Sequence, residues 1–242
     1  MKKLLVIGYV WPEPNSSAAG SRMLQLIECF QSDGYDVTYA SPAQPSEHAI
    51  DYQTFNITAA TIELNNASFD QFISELNPQA VLFDRFMMEE QFAWRVEKQC
   101  PEAIRILDTE DLHCLRFARQ ALAKGNSQVI KDVPQEQLYS DHAIREVAAI
   151  LRCDVTVMIS RYEMDLLTNT FKVPSSQLLY IPFMLQLNSD PNNLELNDLA
   201  FDQREHFVSI GNFRHEPNWD AVLQLKQHIW PMIRKQLPKA QL

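Results

Sequence analysis

From its first residues the chain alternates between short, largely apolar runs and longer segments whose apolar residues recur at helical spacing. The runs Lys3–Gly8, Asp36–Ala40, Ile57–Leu64, Ala80–Asp84, Ile104–Asp108, Val155–Ser160 and Leu178–Ile181 have strand length. Several are apolar almost throughout, as a strand covered on both faces must be. Between them, Ser16–Gln31 carries an apolar stripe at Ala19, Met23, Leu26, Ile27 and Phe30, one face of a helix. Phe69–Leu76, Glu89–Lys98, Leu112–Ala123, Gln137–Leu151 and Arg161–Phe171 follow the same period. Punctuation agrees: Gly34 can close the first helix, and Asn77-Pro78 stops the second. Lys124–Glu136 is a loop, and the polar stretch Gln44–Thr54 has no assignable element.

The alternation predicts an α/β fold built on an open parallel Rossmann-like sheet within residues 1–185. Residues 186–206 are polar and rich in Asn and Asp, as expected of an interdomain linker. Phe207–Asn212 reads as a short buried strand, and the turn Phe213–Asn218 opens a helix, Pro217–Gln236, with Trp219, Val222, Leu223, Ile229, Trp230 and Ile233. Residues 207–242 are therefore expected to be the incomplete start of a second Rossmann-like domain, since a doubly wound domain takes on the order of 150 residues. An uncovered apolar face on that helix would favour dimerisation, docking on the first domain, or poor solubility.

Composition narrows the classes. With 46% hydrophobic and 21% charged residues the usage is ordinary for a globular chain. The net charge of −10 and the lack of any Lys/Arg cluster argue against a nucleic-acid partner. No apolar run approaches the ~18 residues of a membrane span. Lys2-Lys3 and the apolar residues after them lead into Trp11, Pro12 and Glu13 rather than a cleavage site, so they read as a first strand and not a signal peptide. Cys29, Cys100, Cys114 and Cys153 are widely spaced with no CxxC, which suits reduced thiols in a cytoplasm.

Candidate chemistry gathers at the carboxyl ends of the expected strands, where such sheets bind ligands. Gly8, Asp84 with Arg85, Asp108 and Ser160 all fall there, as site residues or as caps of the helices that follow. The loop Tyr9–Arg22 is neither GxGxxG nor a P-loop. Its small residues Gly20 and Ser21 precede Arg22 near a helix start, which is the chemistry of an anion site and equally of an ordinary loop. Asp108–Arg116 is the densest polar cluster. His113 and Arg116 stand three apart and share a helix face. His113 could act in acid–base chemistry or orient a substrate, or simply be hydrogen-bonded. There is no HExxH and no second His at ligand spacing, so no metal is expected; there is no GxSxG to suggest a hydrolase.

Four stretches together resemble the retaining GT-B glycosyltransferases, in particular glycosyltransferase family 4 and its bacterial group 1 relatives. They are Leu4–Gly8 with Pro12, Pro14 and Ala19–Arg22; Asp108–His113 with Leu115 and Arg116; Val157–Ser160 with Glu163, Ile181 and Pro182; and Ile210–Val222 with Ile229–Pro231 and Pro238. The resemblance implies a two-domain, cytoplasmic transferase of polysaccharide biosynthesis or a similar pathway. It would use a nucleotide-sugar donor and a carbohydrate or lipid-linked acceptor, with no metal or other cofactor required. It further implies catalytic roles for His113 and Asp108. Substrate or donor contacts would fall to Gly20, Ser21, Arg22, Asp84, Arg85, Arg116, Asn212 and Arg214. The residues that hold the nucleotide-sugar in that family would lie past Leu242, so the expectation is a truncated chain, incomplete and inactive alone. A non-catalytic acceptor- or partner-binding subunit of a split enzyme, and a GT-B sugar-nucleotide epimerase relative, stay open beside it. So do a homodimer, a separate donor-domain partner, and peripheral contact with the inner face of a membrane.

Overall fold

A computed structural model describes residues 2–45, 50–125, 133–184, 203–213 and 215–242. The chain divides into two compact units, Met1–Met184 and Leu185–Leu242.

The first unit holds seven strands: β1 (Lys2–Ile7), β2 (Tyr35–Ser41), β3 (Ile57–Thr61), β4 (Ala80–Asp84), β5 (Ile104–Asp108), β6 (Val155–Met158) and β7 (Leu178–Tyr180). They form one sheet in the order β3-β2-β1-β4-β5-β6-β7, every pair parallel. All seven expected runs are strands. Because successive strand residues point to opposite faces, β1 feeds two cores at once. Leu4 and Val6 pack with Trp11, Met23, Ile27, Val37 and Tyr39 on one side, and Leu5 and Ile7 with Phe69, Phe83, Phe92 and Val96 on the other. That double burial is why the runs lack polar alternation.

The helices are α1 (Ala18–Ser32), α2 (Ser68–Leu76), α3 (Phe86–Gln99), α4 (His113–Gly125), α5 (Gln135–Leu138), α6 (Asp141–Arg152) and α7 (Arg161–Asn169). Gly34, at φ +81°, takes the left-handed position just past α1. The helix expected over Gln137–Leu151 is two elements. Ser140 adopts an extended backbone (φ −137°, ψ 167°) and its side chain accepts from the Ala143 N–H, restarting the helix as α6. The loop at Lys124–Glu136 and the stretch at Gln44–Thr54 lie partly outside the described residues, and the linker 186–206 almost wholly so. Among the described residues no helix is long and apolar enough to cross a membrane.

The second unit departs from expectation at its start. Phe207–Asn212 is not a strand: it joins no sheet, and Val208 and Ile210 are 81% and 90% exposed. A strand is stable only where neighbours complete its hydrogen-bond ladder, and here the Phe207 N–H donates instead to the Gln241 carbonyl at 3.0 Å. The helix at 217–236 does form, as α8 (Glu216–Gln224), a π turn (Leu225–Ile229) and α9 (Trp230–Gln236). Pro231 explains the turn: it has no N–H, and its ring pushes the preceding carbonyls away, so the ladder widens by one residue.

Ser140→Ala removes the cap that begins α6. It is expected to lower unfolding stability by about 1 kcal/mol, read as a shift in urea midpoint at unchanged slope.

Candidate functional site

Strand order turns back at β1, whose neighbours are β2 on one side and β4 on the other. In doubly wound sheets the crevice at the carboxyl ends of such strands receives ligands. Register fixes what stands there: Ile7 pairs with Phe83, and Asp84 with Asp108. Gly8 and the two aspartates are thus brought to one edge by backbone pairing alone. A Cβ on Gly8 would fall 1.7 Å from the Tyr39 hydroxyl. That hydroxyl donates to the Val10 carbonyl at 2.7 Å and holds the loop leaving β1. The next residue, Tyr9, donates its N–H to Asp84 Oδ2 at 3.2 Å.

Arg85 leaves β4 at φ 71°, ψ 155°, a region nearly confined to glycine, and Glu110 sits at φ 59°. Each such residue costs on the order of 1–3 kcal/mol and persists only where its surroundings hold it. The two hold each other: Arg85 Nε and Nη2 donate to Glu110 Oε2 at 2.9 and 2.7 Å. Arg85 Nε also lies 3.6 Å from Asp84 Oδ1. Arg22, on the buried face of α1 and 1% exposed, places Nη2 3.4 Å from Asp108 Oδ1 and Nη1 3.3 Å from the Pro182 carbonyl. Arg22 Nε and Asp84 Oδ1 are buried with no hydrogen-bond partner.

Burial dominates the titration of this cluster. It raises Asp84 and Asp108 each to about 6, with Arg85 and Arg22 respectively pulling back, and it raises Glu110 to about 7 with Asp84 adding to the effect. His113, 7% exposed, moves the other way, to about 3, through burial and then the nearby Arg116, Arg85 and His142. Asp111 Oδ1 lies 3.9 Å from His113 Nε2 but does not outweigh them, so the imidazole is neutral across the physiological range. Its ring stands between Phe86 and Phe117, with centroids 5.4 and 6.2 Å away.

The sequence candidates are thus partly united. Arg22, Asp84, Arg85 and Asp108 form one cluster with Glu110, and His113 borders it at the start of α4. Arg116 pairs with Asp111 at 3.5 Å. Gly20 and Ser21 bond within their own loop: the Gly20 N–H donates to the Ser17 side chain at 3.0 Å and Ser21 Oγ to the Pro14 carbonyl at 3.0 Å. A Cβ on Gly20 would lie 2.6 Å from the Glu13 backbone, so glycine is required for the loop to close on α1. Ser160 is a helix cap, accepting from the Glu163 N–H. Asn212 belongs to the second unit, where its carbonyl accepts from the His215 N–H and the Asn218 side chain; Arg214 lies outside the described residues.

Three carboxylates, Glu146 and Glu163 buried and Glu110 partly so, are not candidate site residues on the sequence alone. Glu110 is visible only as one acid among several in Asp108–Asp111. Glu146 and Glu163 come from α6 and α7 and receive backbone N–H groups at the start of α4. Only Glu163 carries a local signal, the Ser-x-x-Glu capping box, and that signal points to its own helix. Among the described residues, no group of three or more His, Cys, Asp or Glu is disposed to hold a metal ion.

Neither a family model nor a curated protein matches the sequence. Solved structures do match in fold. A sucrose-phosphate synthase from Thermosynechococcus elongatus superposes with a TM-score of 0.51 at 14% identity, over 81% of this chain and 53% of that one. The fold is the Rossmann-like parallel sheet of the GT-B type. The chain spans about half the length of that synthase. Weaker similarities include the lipopolysaccharide outer core galactosyltransferase WaaB (TM-score 0.48, 12% identity, 76% of this chain and 47% of that one). A putative UDP-N-acetylglucosamine 2-epimerase from Listeria monocytogenes gives 0.45 at 10% identity, over 74% of this chain and 44% of that one.

The opposed titrations make a stability test. Asp84, Asp108 and Glu110 bind protons more tightly when folded, so their contribution is fully present below an unfolded carboxylate value of about 4 and is lost as pH rises through 6 to 7. His113 binds its proton less tightly when folded and contributes the reverse, losing stability as pH falls below about 6.5. Relative to wild type, Asp84→Asn should shrink the stability gained between pH 7.5 and 5.5, and His113→Asn should enlarge it. Chemical denaturation at the two pH values measures both.

Proposed function

We propose that this chain is part of a glycosyltransferase. It would transfer a sugar from a nucleotide-sugar to a hydroxyl of a glycan, lipid-linked or small-molecule acceptor, with retention at the anomeric carbon. The observation that carries the reading is the cluster at the β1/β4/β5 edge, in a fold shared with a sucrose-phosphate synthase. Buried Asp84 and Asp108 and partly buried Glu110, interleaved with Arg22 and Arg85, offer acceptors and donors to a polyhydroxy ligand rather than a simple basic pocket to an anion. The orphaned Arg22 Nε and Asp84 Oδ1 support this, since buried polar atoms without partners are costly unless a ligand or water completes them.

In the reaction, the acceptor oxygen forms a bond to the anomeric carbon as the bond from that carbon to the diphosphate breaks. The electron pair leaves with the nucleoside diphosphate, and the acceptor proton passes to the departing phosphate or to solvent. His113, held neutral, would orient a sugar hydroxyl by hydrogen bonding, and Asp108, braced by Arg22, would fix a hydroxyl at the reacting edge. Gly20–Arg22 would border the diphosphate, and Arg116 would add a contact. Cationic side chains and helix N-termini suffice in this reading to meet the leaving charge, with no metal assigned a role. Donor and acceptor are the partners proposed, with the acceptor reached from the cytoplasm or the inner face of a membrane.

The test is a screen of the purified chain against UDP- and GDP-sugars with sugar and lipid-linked acceptors, following released nucleoside diphosphate and product mass together. As part of such an enzyme, the chain by itself is expected to bind an acceptor, about 10-fold more weakly in His113→Ala, and to release no diphosphate. Release of diphosphate together with a sugar-bearing product would show that the chain carries the reaction unaided and would overturn the expectation that it is incomplete. Binding of neither donor nor acceptor would overturn the reading.

A further inference from the structure

The first turn of α4 is held by side chains from two other helices. Three successive backbone donors at its start point at carboxylates: the Leu112 N–H at Glu163 Oε1 (3.3 Å), the His113 N–H at Glu146 Oε1 (2.9 Å) and the Cys114 N–H at Glu146 Oε2 (3.0 Å). Helix starts leave up to four such donors, normally met by one local Ser, Thr, Asp or Asn, or by water. Here Asp111, the nearest local acid, is turned toward Arg116 and His113.

The arrangement is costly, which makes it informative. Glu146 and Glu163 are both buried, and burial raises both: it pushes Glu163 up to about 7, with Asp111 and Glu146 adding to it. Glu163 Oε2 has no hydrogen-bond partner at all. Glu163 also occupies the capping-box position of α7, three residues after Ser160, whose side chain accepts from its N–H. In that motif the glutamate would reach back to the Ser160 N–H; instead it crosses to α4. α7 thus gives up a favourable local placement of its glutamate, α6 buries another, and together the two carboxylates grip Leu112, His113 and Cys114.

We propose that Glu146 and Glu163 are positioning residues for His113, fixing the first turn of α4 so that the imidazole stands at the sheet edge between Phe86 and Phe117. The inference rests on the assignment of His113 to the substrate-facing edge, but the clamp itself is testable without any transfer reaction. Its geometry has a further effect. With its leading N–H groups already paired to buried carboxylates, α4 has no free start to offer a phosphate, so a ligand at this edge meets the His113 side chain and not the helix terminus.

Glu146→Gln is the sharpest probe. The amide keeps one oxygen for the His113 N–H but turns an NH2 group toward the Cys114 N–H, setting donor against donor. The readout is the His113 ring in 13C/15N-histidine NMR, titrated from pH 4 to 8. In the wild type the ring should stay neutral throughout this range. In Glu146→Gln it should titrate at least about two pH units higher than in the wild type, as the loosened turn lets the ring reach water. Glu163→Leu should act in the same direction, and Glu163→Gln, which retains an acceptor for the Leu112 N–H, should leave the curve in place. Ile73→Val in α2 serves as a control of general destabilisation and should not move the curve. An unmoved His113 titration in both Glu146→Gln and Glu163→Leu would overturn the proposal, as would an equal shift in Ile73→Val. Should Glu146→Gln fail to fold, the two Glu163 variants decide the matter between them. Absence of donor and acceptor binding in the wild type, with the NMR shifts as expected, would count against the assigned reaction and not against the clamp.

Discussion

Two aspartates stand side by side across neighbouring parallel strands, and much of the first unit is arranged around keeping them there. The pairing of Asp84 with Asp108 is a matter of backbone register, so neither side chain can be moved without slipping the sheet. Buried carboxylates so placed resist ionising together, and guanidinium groups must come to them from elsewhere. Arg22 arrives from the buried face of α1, and Arg85 from the residue directly after β4, at the cost of a backbone conformation that suits glycine. The loop after β1, the start of α1 and the stretch around Glu110 are all tied to this edge. Polar groups are held at this edge at the expense of local backbone comfort.

How legible this was depended on the range of the interaction. Strands covered on both faces, as β1, β2, β4 and β6 largely are, announce themselves by composition, and the more exposed β3, β5 and β7 were readable from their length and flanks. Asp84 and Asp108 could be nominated because each ends an apolar run, a purely local fact. That they are neighbours requires the strand order, and the periodicity of the chain does not contain it. Arg22 reads locally as a mobile loop cation, whereas in the fold it is a buried counter-charge, since only the packing of α1 against the sheet decides which way it faces. Glu146 and Glu163 were hidden for the same reason. A glutamate at a capping-box position is indistinguishable in sequence from one that reaches across to another helix.

The strand expected at Phe207–Asn212 failed on different grounds. An apolar run of that length is compatible with a strand, but a strand is a property of its neighbours as much as of itself, and none pairs with it among the described residues. Its residues remain as apolar as before and are simply exposed. The helix after it, by contrast, satisfies its own backbone and formed as the pattern required, with Pro231 leaving its mark as a π turn.

The contact between Gly8 and Tyr39 binds two positions on adjacent strands into a single choice. Any side chain at position 8 demands a smaller residue at 39, and shrinking Tyr39 releases the Val10 carbonyl that its hydroxyl secures. The two positions can therefore change only as a pair, and such a change would alter how the loop sits over the aspartates before it altered the core. Among natural relatives, a compensated swap at 8 and 39 would mark the branch where the loop after β1 took a new seat over the aspartates.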